Sequence, residues 1–195
     1  MSKRRLRIDF NSPAVLGFVI LCTAAYLVNL ISGGAANRLL FSVYRSSLLD
    51  PLFYIRLFGH VLGHASWDHL LGNMMYILIL GPMIEEKYGT ENTFMVIALT
   101  AFATGLINVL FFPGVALLGA SGVVFAFILL SSITGYREGA IPVTFLLVAV
   151  LYIGQQIAHG ITDKDQISQM AHIVGGSVGA VLGFLMNRFH MHRIR

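Results

Sequence analysis

A serine and a histidine stand out in this sequence because both lie in strongly apolar surroundings. Ser121 occurs in GASGVV, and His172 occurs in AHIVGGSVG. A neutral imidazole can accept the proton of a serine hydroxyl, which makes that serine a nucleophile toward a carbonyl carbon. Burial keeps His172 neutral and ready to act as the base. The pair indicates nucleophilic catalysis, although a serine among small residues is also typical of a helix–helix contact.

A second polar group comes earlier, in GHVLGHASWDHLLGN, and consists of His60, His64, His69 and Asn73. If helical, His60 and His64 share one helix face, as do His69 and Asn73. Two histidines at this spacing can chelate zinc. A zinc protease motif of the H-E-x-x-H type would need Glu where this chain has Val61, and no later span offers a carboxylate as a third ligand. We therefore expect no metal here.

Carboxylates are scarce around these residues, which limits the catalytic models. Asp68 lies next to His69 in sequence, and we expect it to cap the second span instead of joining a catalytic triad. A dyad of Ser121 and His172 is the better prediction.

The composition places these residues in a membrane. Hydrophobic residues make up 56% of the 195 residues and charged residues only 11%, and the mean hydropathy is +0.78. Soluble domains carry about a quarter charged residues. The net charge is +4, but the basic residues gather beside apolar segments. This pattern favours membrane lipids as partners and argues against nucleic acid.

The apolar segments predict an all-α, polytopic fold with six transmembrane helices. They cover residues 13–32, 69–86, 92–112, 121–136, 141–158 and 168–188, each near the ~20 residues that a helical span needs. The first segment could instead be a signal peptide, but its apolar run is longer than such peptides carry. We expect a single domain over residues 1–195, with a basic N-terminus (1–12), a six-helix core (13–188) and a basic tail (189–195).

Lysine and arginine set the expected orientation. Nine of the 13 basic residues lie at the two termini and in the second and fourth loops, which predicts that both termini are cytoplasmic. The first loop, 33–68, then faces outward. Its mixture of apolar clusters with Arg, Ser and Asp predicts short amphipathic helices embedded in the outer leaflet, held at headgroup level by aromatic and arginine side chains.

The fourth span is short, since residues 121–136 give only about 24 Å of helix against a hydrocarbon core of about 30 Å. Ser121 would therefore lie recessed at the start of a helix, where free backbone N–H groups can stabilise an oxyanion. Small residues of the fourth and sixth spans permit close packing that would bring His172 beside Ser121. These residues are Gly122, Ala126, Ala171, Gly175, Gly179 and Gly183.

Five motifs occur in a fixed order along the chain. They are Arg56; His60, His64, His69 and Asn73; Glu85 and Gly89; Gly119, Ser121 and Gly122; and Ala171, His172, Gly175 and Gly179. Together, on these helices, they resemble the rhomboid family of intramembrane serine proteases, from about residue 55 to the C-terminal end.

The resemblance implies a role for each matching position. Ser121 would be the nucleophile and His172 the general base, while His69, Asn73 and the Ser121 backbone N–H would form the oxyanion hole. Gly119 would let backbone approach the substrate, and 145–167 would gate substrate entry. The remaining positions would support the site: Arg56, His60, His64, Glu85, Gly122, Phe125, Gly175 and Gly179. No cofactor and no metal are implied.

Two positions depart from the family pattern. Ile55 precedes Arg56 where members often have Trp, so one membrane anchor is lost. Phe125 stands where many members have Tyr, which keeps the surface against the histidine but removes the hydroxyl. Because neither change removes a reacting group, we expect an active enzyme with a differently tuned histidine.

The resemblance implies an endopeptidase that cleaves transmembrane segments of membrane proteins near their outer end, at helix-weakening sequences with small side chains near the cut. We expect a bacterial inner membrane location, with the site open to the outer side. A rhomboid-like protein that binds transmembrane helices without cutting them is the alternative, and a small channel is a further one. A channel is disfavoured because the polar residues lie toward one membrane face. The sequence does not predict an oligomeric state.

Overall fold

The computed structural model describes residues 10–135, 140–162 and 166–193. Within these ranges the chain forms eight α-helices and one 3-10 turn, His60–Leu62. The helices are α1 Pro13–Ile31, α2 Ala35–Leu39, α3 Pro51–Gly59, α4 Trp67–Tyr88, α5 Thr90–Phe111, α6 Ser121–Ser132, α7 Val143–Thr162 and α8 Gln166–Arg193. An isolated antiparallel bridge joins Val43 to Leu117. The all-helical fold class is confirmed.

Each predicted span corresponds to one helix, namely α1 and α4 to α8. Among the described residues, three segments are long and apolar enough to cross a membrane by length and composition. They are Pro13–Ile31, Thr90–Phe111 and Gln169–Arg188. A membrane protein is therefore supported, while the count of six spans stays a prediction. The predicted gate, 145–167, falls partly outside the described residues.

The fourth helix is shorter than predicted. Sequence reasoning extended it to residue 136, but α6 ends at Ser132, and residue 136 lies outside the described ranges. Near this end, Ser131 Oγ donates to Ile128 O at 2.9 Å and Ser132 Oγ to Leu129 O at 2.7 Å. The Asn187 amide donates to the freed carbonyl of Ile133 at 3.1 Å.

Glycines join α6 to α8, as the spacing of small residues predicted. A methyl group at Gly175 would overlap the Gly122 carbonyl, and one at Gly179 would overlap the backbone of Ala126. The two helices therefore touch backbone to backbone, and theirs is the most extensive contact between described helices. Close approach of this kind is what small residues allow in membrane helices.

Glu85 connects α1 to the corner between α4 and α5. Its carboxylate accepts the N–H of Ala14 at 2.9 Å and of Val15 at 3.0 Å, at the positive end of α1. It also accepts the Thr90 hydroxyl at 2.8 Å. Gly89 separates α4 from α5 with φ +85°, a conformation that glycine adopts readily. The predicted supporting role of Glu85 thus has a physical basis away from the cavity.

The first loop contains the expected short helices, α2 and α3. The side chain of Arg56, on α3, is only 2% exposed. The guanidinium donates to the Asp50 carboxylate at 2.6 Å and to Ser46 Oγ at 2.8 Å, and lies over the Tyr44 ring. Arg56 turns inward because these partners compensate its charge. Its hydrogen bond also lowers the pKa of Asp50.

Candidate active site

The predicted reacting residues line one cavity of about 510 Å³. It lies between α4, α6 and α8, toward the N-terminal ends of these helices. Its lining is formed by Asp68, His69, Gly72, Asn73, Tyr76, Ser121, Val124, Phe125, Ile128 and His172. Residues that are far apart in sequence therefore meet in one place, and all four residues predicted for the dyad and the oxyanion hole are among them.

Ser121 is the first residue of α6, after the cap residue Ala120. The first N–H groups of a helix have no acceptor within that helix, and the helix dipole makes this end positive. Ser121 therefore presents its hydroxyl beside backbone donors, in the position that the sequence predicted. This end of α6 can bind a negatively charged oxygen.

His172 lies in the second turn of α8 and is half-buried. Its ring contacts the ring of Phe125, with centroids 4.2 Å apart and planes inclined by 42°. Phe125 lies one turn after Ser121 on α6, so the contact fixes the imidazole relative to the serine-bearing helix. The aromatic surface that we expected Phe125 to place against the histidine is therefore present, without the hydroxyl that Tyr would add.

His64 supports Asn73 on the wall of the cavity. Its Nδ1 lies 3.1 Å from the Leu62 carbonyl and its Nε2 lies 3.1 Å from the Asn73 amide nitrogen. If Nδ1–H donates to the carbonyl, Nε2 accepts from Asn73. The rings of His64 and His69 meet edge to face at 5.0 Å. Burial lowers the pKa of His64 to about 4, which keeps the ring in this neutral form.

His60 supports the loop that precedes Ser121. Its Nε2 lies 3.1 Å from Thr104 Oγ1 on α5, and its carbonyl accepts the N–H of Gly119 at 2.9 Å. Burial lowers its pKa to about 4. His60 and His64 do not share a helix face, because the helical turn stops at Leu62 and Gly63 is extended. The residues that the structure describes contain no group of three or more His, Cys, Asp or Glu that could hold a metal ion.

The structure gives a reason for glycine at position 119 that the sequence did not reveal. Its φ is +127°, and a Cβ atom there would lie 2.8 Å from Cε1 of His69. Any side chain would therefore strain the backbone and displace the His69 ring. The glycine allows His69 to lie against the loop that leads into Ser121.

Asp68 does not cap α4, contrary to the prediction. Ser66 is the cap residue, and its hydroxyl accepts the N–H of His69 at 3.2 Å. Ser66 takes this position because its backbone is extended and its short side chain reaches back to the first turn. Asp68 lies within that turn, lines the cavity and is exposed.

Sequence reasoning also missed the polar face of α5. Thr104 bonds His60, and the Asn108 amide donates to the carbonyls of Val43 at 3.0 Å and Val115 at 3.1 Å. The two residues are four apart in an apolar segment, so they share a helix face. That spacing could have indicated a polar contact face, since buried polar groups in a membrane helix need partners.

Comparison with known proteins agrees with the geometry. The family model described as "Rhomboid domain" matches residues 52–189. "Rhomboid protease GlpG" of Yersinia pestis is 29% identical over 179 residues, which is 88% of this chain and 62% of that protein. "Rhomboid-type serine protease 2" of Kluyveromyces lactis is 28% identical over 193 residues, 90% of this chain and 65% of that protein.

A plant relative shows how widely the similarity extends. "Rhomboid-like protein 11, chloroplastic" of Arabidopsis thaliana is 28% identical over 140 residues, covering 65% of this chain and 50% of that protein. The chain thus spans between half and two thirds of the length of these relatives. The family model nevertheless covers every residue that lines the cavity, and so this chain belongs to the rhomboid family.

Proposed function

We propose that this protein is an intramembrane serine endopeptidase that cleaves transmembrane segments of other membrane proteins near their outer end. The observation that carries the proposal is the single cavity lined by Ser121, His172, His69 and Asn73. A nucleophile, a base and two side chains that can stabilise an oxyanion are the parts that acyl transfer needs. The names of the Yersinia and Kluyveromyces relatives, which call those proteins proteases, support the same reaction.

The proposed reaction proceeds in two steps. Ser121 Oγ attacks the carbonyl carbon of the scissile peptide bond while the His172 imidazole takes the hydroxyl proton. The tetrahedral intermediate collapses, the carbon–nitrogen bond breaks, and His172 returns the proton to the leaving amine. Water then attacks the acyl-enzyme with His172 again as the base, which releases the new carboxyl terminus and restores Ser121. No metal or organic cofactor takes part.

The negative charge that develops on the carbonyl oxygen needs donors. The Ser121 backbone N–H, the His69 imidazole and the Asn73 amide are proposed to supply them. Asn73 is suited to this role because its amide has two hydrogens, of which His64 engages one. His64 thereby holds the other toward the cavity, and Gly119 leaves room for the His69 ring.

The proposed setting is a bacterial inner membrane, with both termini cytoplasmic and one domain over residues 1–195. The distribution of lysine and arginine supports this orientation. The cavity lies at the starts of α4, α6 and α8, which then face outward, so water from the outer side can reach Ser121. The substrate helix must unwind to enter the cavity, which favours helix-weakening residues and small side chains near the scissile bond.

Cleavage of a model substrate tests the proposal. The full chain is reconstituted in vesicles with a single-span protein that carries a Gly-rich, small-residue stretch near its outer end. We expect one cut within that stretch, located by mass spectrometry, and at least a 1,000-fold lower rate for Ser121→Ala and His172→Ala. Cleavage that persists in both variants, or that a chelator abolishes, would contradict the serine mechanism.

A further inference from the structure

Three cavity residues on α4 take no part in the proposed reaction. Asp68, Gly72 and Tyr76 are spaced four apart, so they lie on one helix face, about 6 Å from one residue to the next along the axis. All three line the cavity with Ser121 and His172, and all three are exposed. We refer to these three residues as the α4 face.

The outer end of the α4 face is acidic. Among the residues that line the cavity, Asp68 is the one carboxylate, and none of them is Lys or Arg. The described residues include no hydrogen-bond or ion-pair partner for its side chain, whereas Asp50, which precedes α3, is paired with Arg56. A carboxylate that faces a cavity without a partner is available to a cation from outside.

The middle and inner parts of the α4 face suit a long aliphatic chain. A Cβ atom at Gly72 would meet nothing within 4 Å, so there is open space along the helix at this point. Tyr76 is 53% exposed, and an aromatic face attracts both methylene groups and a cation. Together these features place open space and an aromatic ring on the same helix face as the negative charge of Asp68.

We propose that the α4 face is a subsite for a lysine or arginine side chain of the substrate, a few residues from the scissile bond. The proposal rests on the proposed protease function. The aliphatic stem lies over Gly72 with Tyr76 beside its inner end, and the charged head reaches Asp68, about 6 Å farther along at the start of α4. Basic side chains in a membrane extend toward the nearest aqueous surface. The N-terminal ends of α4 and α6 lie on the same side, so a basic side chain that extends toward that surface points toward Asp68.

A purely structural role for Asp68 predicts something different. An acidic residue in the first turn stabilises a helix through the helix dipole, and Asp68 has this position in α4. That role affects folding but is indifferent to substrate charge. Glu91 has the same position in the first turn of α5 and does not line the cavity, so Glu91→Gln is a matched control that changes the net charge equally.

The experiment uses two single-span substrates that differ only in Lys or Glu at one position near the cut, a position chosen by scanning. For the wild-type chain in vesicles we expect kcat/KM to favour Lys over Glu by about three- to tenfold at low salt, and less at high salt. Asp68→Asn should bring the ratio near one, and Asp68→Lys should invert it. Glu91→Gln should leave the ratio at the wild-type value.

Binding to the Ser121→Ala variant separates this inference from the proposed function, because binding requires no cleavage. A lower Kd for the Lys substrate, lost when Asp68→Asn is added, supports the subsite even if the wild-type chain cuts nothing. In that case the subsite stands and the protease proposal fails. Equal ratios in wild type and Asp68→Asn, in cleavage or in binding, would overturn the subsite and leave the protease proposal intact.

Discussion

At the residue scale, Asn73, His172 and His69 are each held by a neighbouring contact. His64 holds Asn73, Phe125 contacts His172, and Ser66 caps the turn that carries His69. Buried polar groups are rarely left without partners. The residue types were visible in the sequence, but several partners were not, because contacts such as His60 to Thr104 join residues 44 positions apart.

The two buried histidines of the first loop predict a pH-dependent stability. Burial lowers the pKa of both His60 and His64 to about 4 from 6.5, so the unfolded chain binds protons more tightly than the folded protein. This contribution is fully present above pH 6.5 and is lost as the pH falls toward 4. Each histidine should account for about 1–3 kcal/mol of that loss.

The measurement is the midpoint of detergent-induced unfolding at pH 7.5 and pH 5.0. Replacing both histidines with Asn lowers stability at pH 7.5, since hydrogen bonds change, but should reduce the difference between the two pH values. An equally large difference in the double variant would show that other groups titrate.

Phe125 predicts a second effect at this scale. In Phe125→Ala the imidazole of His172 loses its neighbouring ring, and we expect kcat/KM to fall by about three- to tenfold. Phe125→Tyr retains the ring and should retain most of the activity. Phe94→Ala is the control, because Phe94 is 66% exposed on α5. Steady-state cleavage rates that are equal for Phe125→Ala and Phe94→Ala would exclude an orienting role for the ring.

At the element scale, the packing of α6 on α8 joins the two halves of the proposed dyad. The glycine spacing in AHIVGGSVG predicted this contact, since small residues four apart form a ridge on one helix face. Helix ends were predicted less well. The apolar pattern continues past Ser132 through Ile133, but α6 ends at Ser132, and the Asn187 amide of α8 donates to the Ile133 carbonyl. Hydropathy carries no information about such a tertiary contact.

Gly175→Ala tests the packing of α6 on α8. The added methyl group would overlap the Gly122 carbonyl, so the helices must separate and His172 must move away from Ser121. Displacements of about 1 Å in an active site reduce rates about 100-fold, and we expect a loss of that order. Gly17→Ala on α1 is the control, because a Cβ atom there meets nothing within 4 Å. Activity of Gly175→Ala equal to that of Gly17→Ala would contradict this packing.

At the scale of the whole molecule, the contact by which Glu85 attaches α1 to α4 lies away from the cavity. The all-helical fold class followed from composition and periodicity. The inward turn of Arg56 and the capping of α1 by Glu85 did not, because both depend on partners brought together only by the tertiary fold. The first loop packs against α5 through Asn108, and the bridge from Val43 to Leu117 joins it to the loop that precedes Ser121.

Glu85→Gln should lower stability with little effect on chemistry. Glu85 is 5% exposed and its carboxylate accepts from two backbone N–H groups of α1, so neutralising it should reduce the free energy of unfolding by about 2 kcal/mol. Glu86→Gln is the matched control, because Glu86 is the next residue in the sequence and is exposed. The unfolding midpoint and the cleavage rate are measured together. A large loss of kcat at a temperature where the variant is folded would instead link Glu85 to the reaction.

The central claim is that Ser121 is a nucleophile activated by His172. A fluorophosphonate probe tests it most directly, because such probes phosphorylate activated serine hydroxyls and require no knowledge of the substrate. The wild-type chain in vesicles is compared with Ser121→Ala, His172→Ala and the control Ser177→Ala, an exposed serine on α8 whose hydroxyl donates to the Ile173 carbonyl. We predict labelling of wild type and Ser177→Ala on Ser121, and none of Ser121→Ala or His172→Ala. Equal labelling of all four proteins, or no labelling of the folded wild type, would contradict the account.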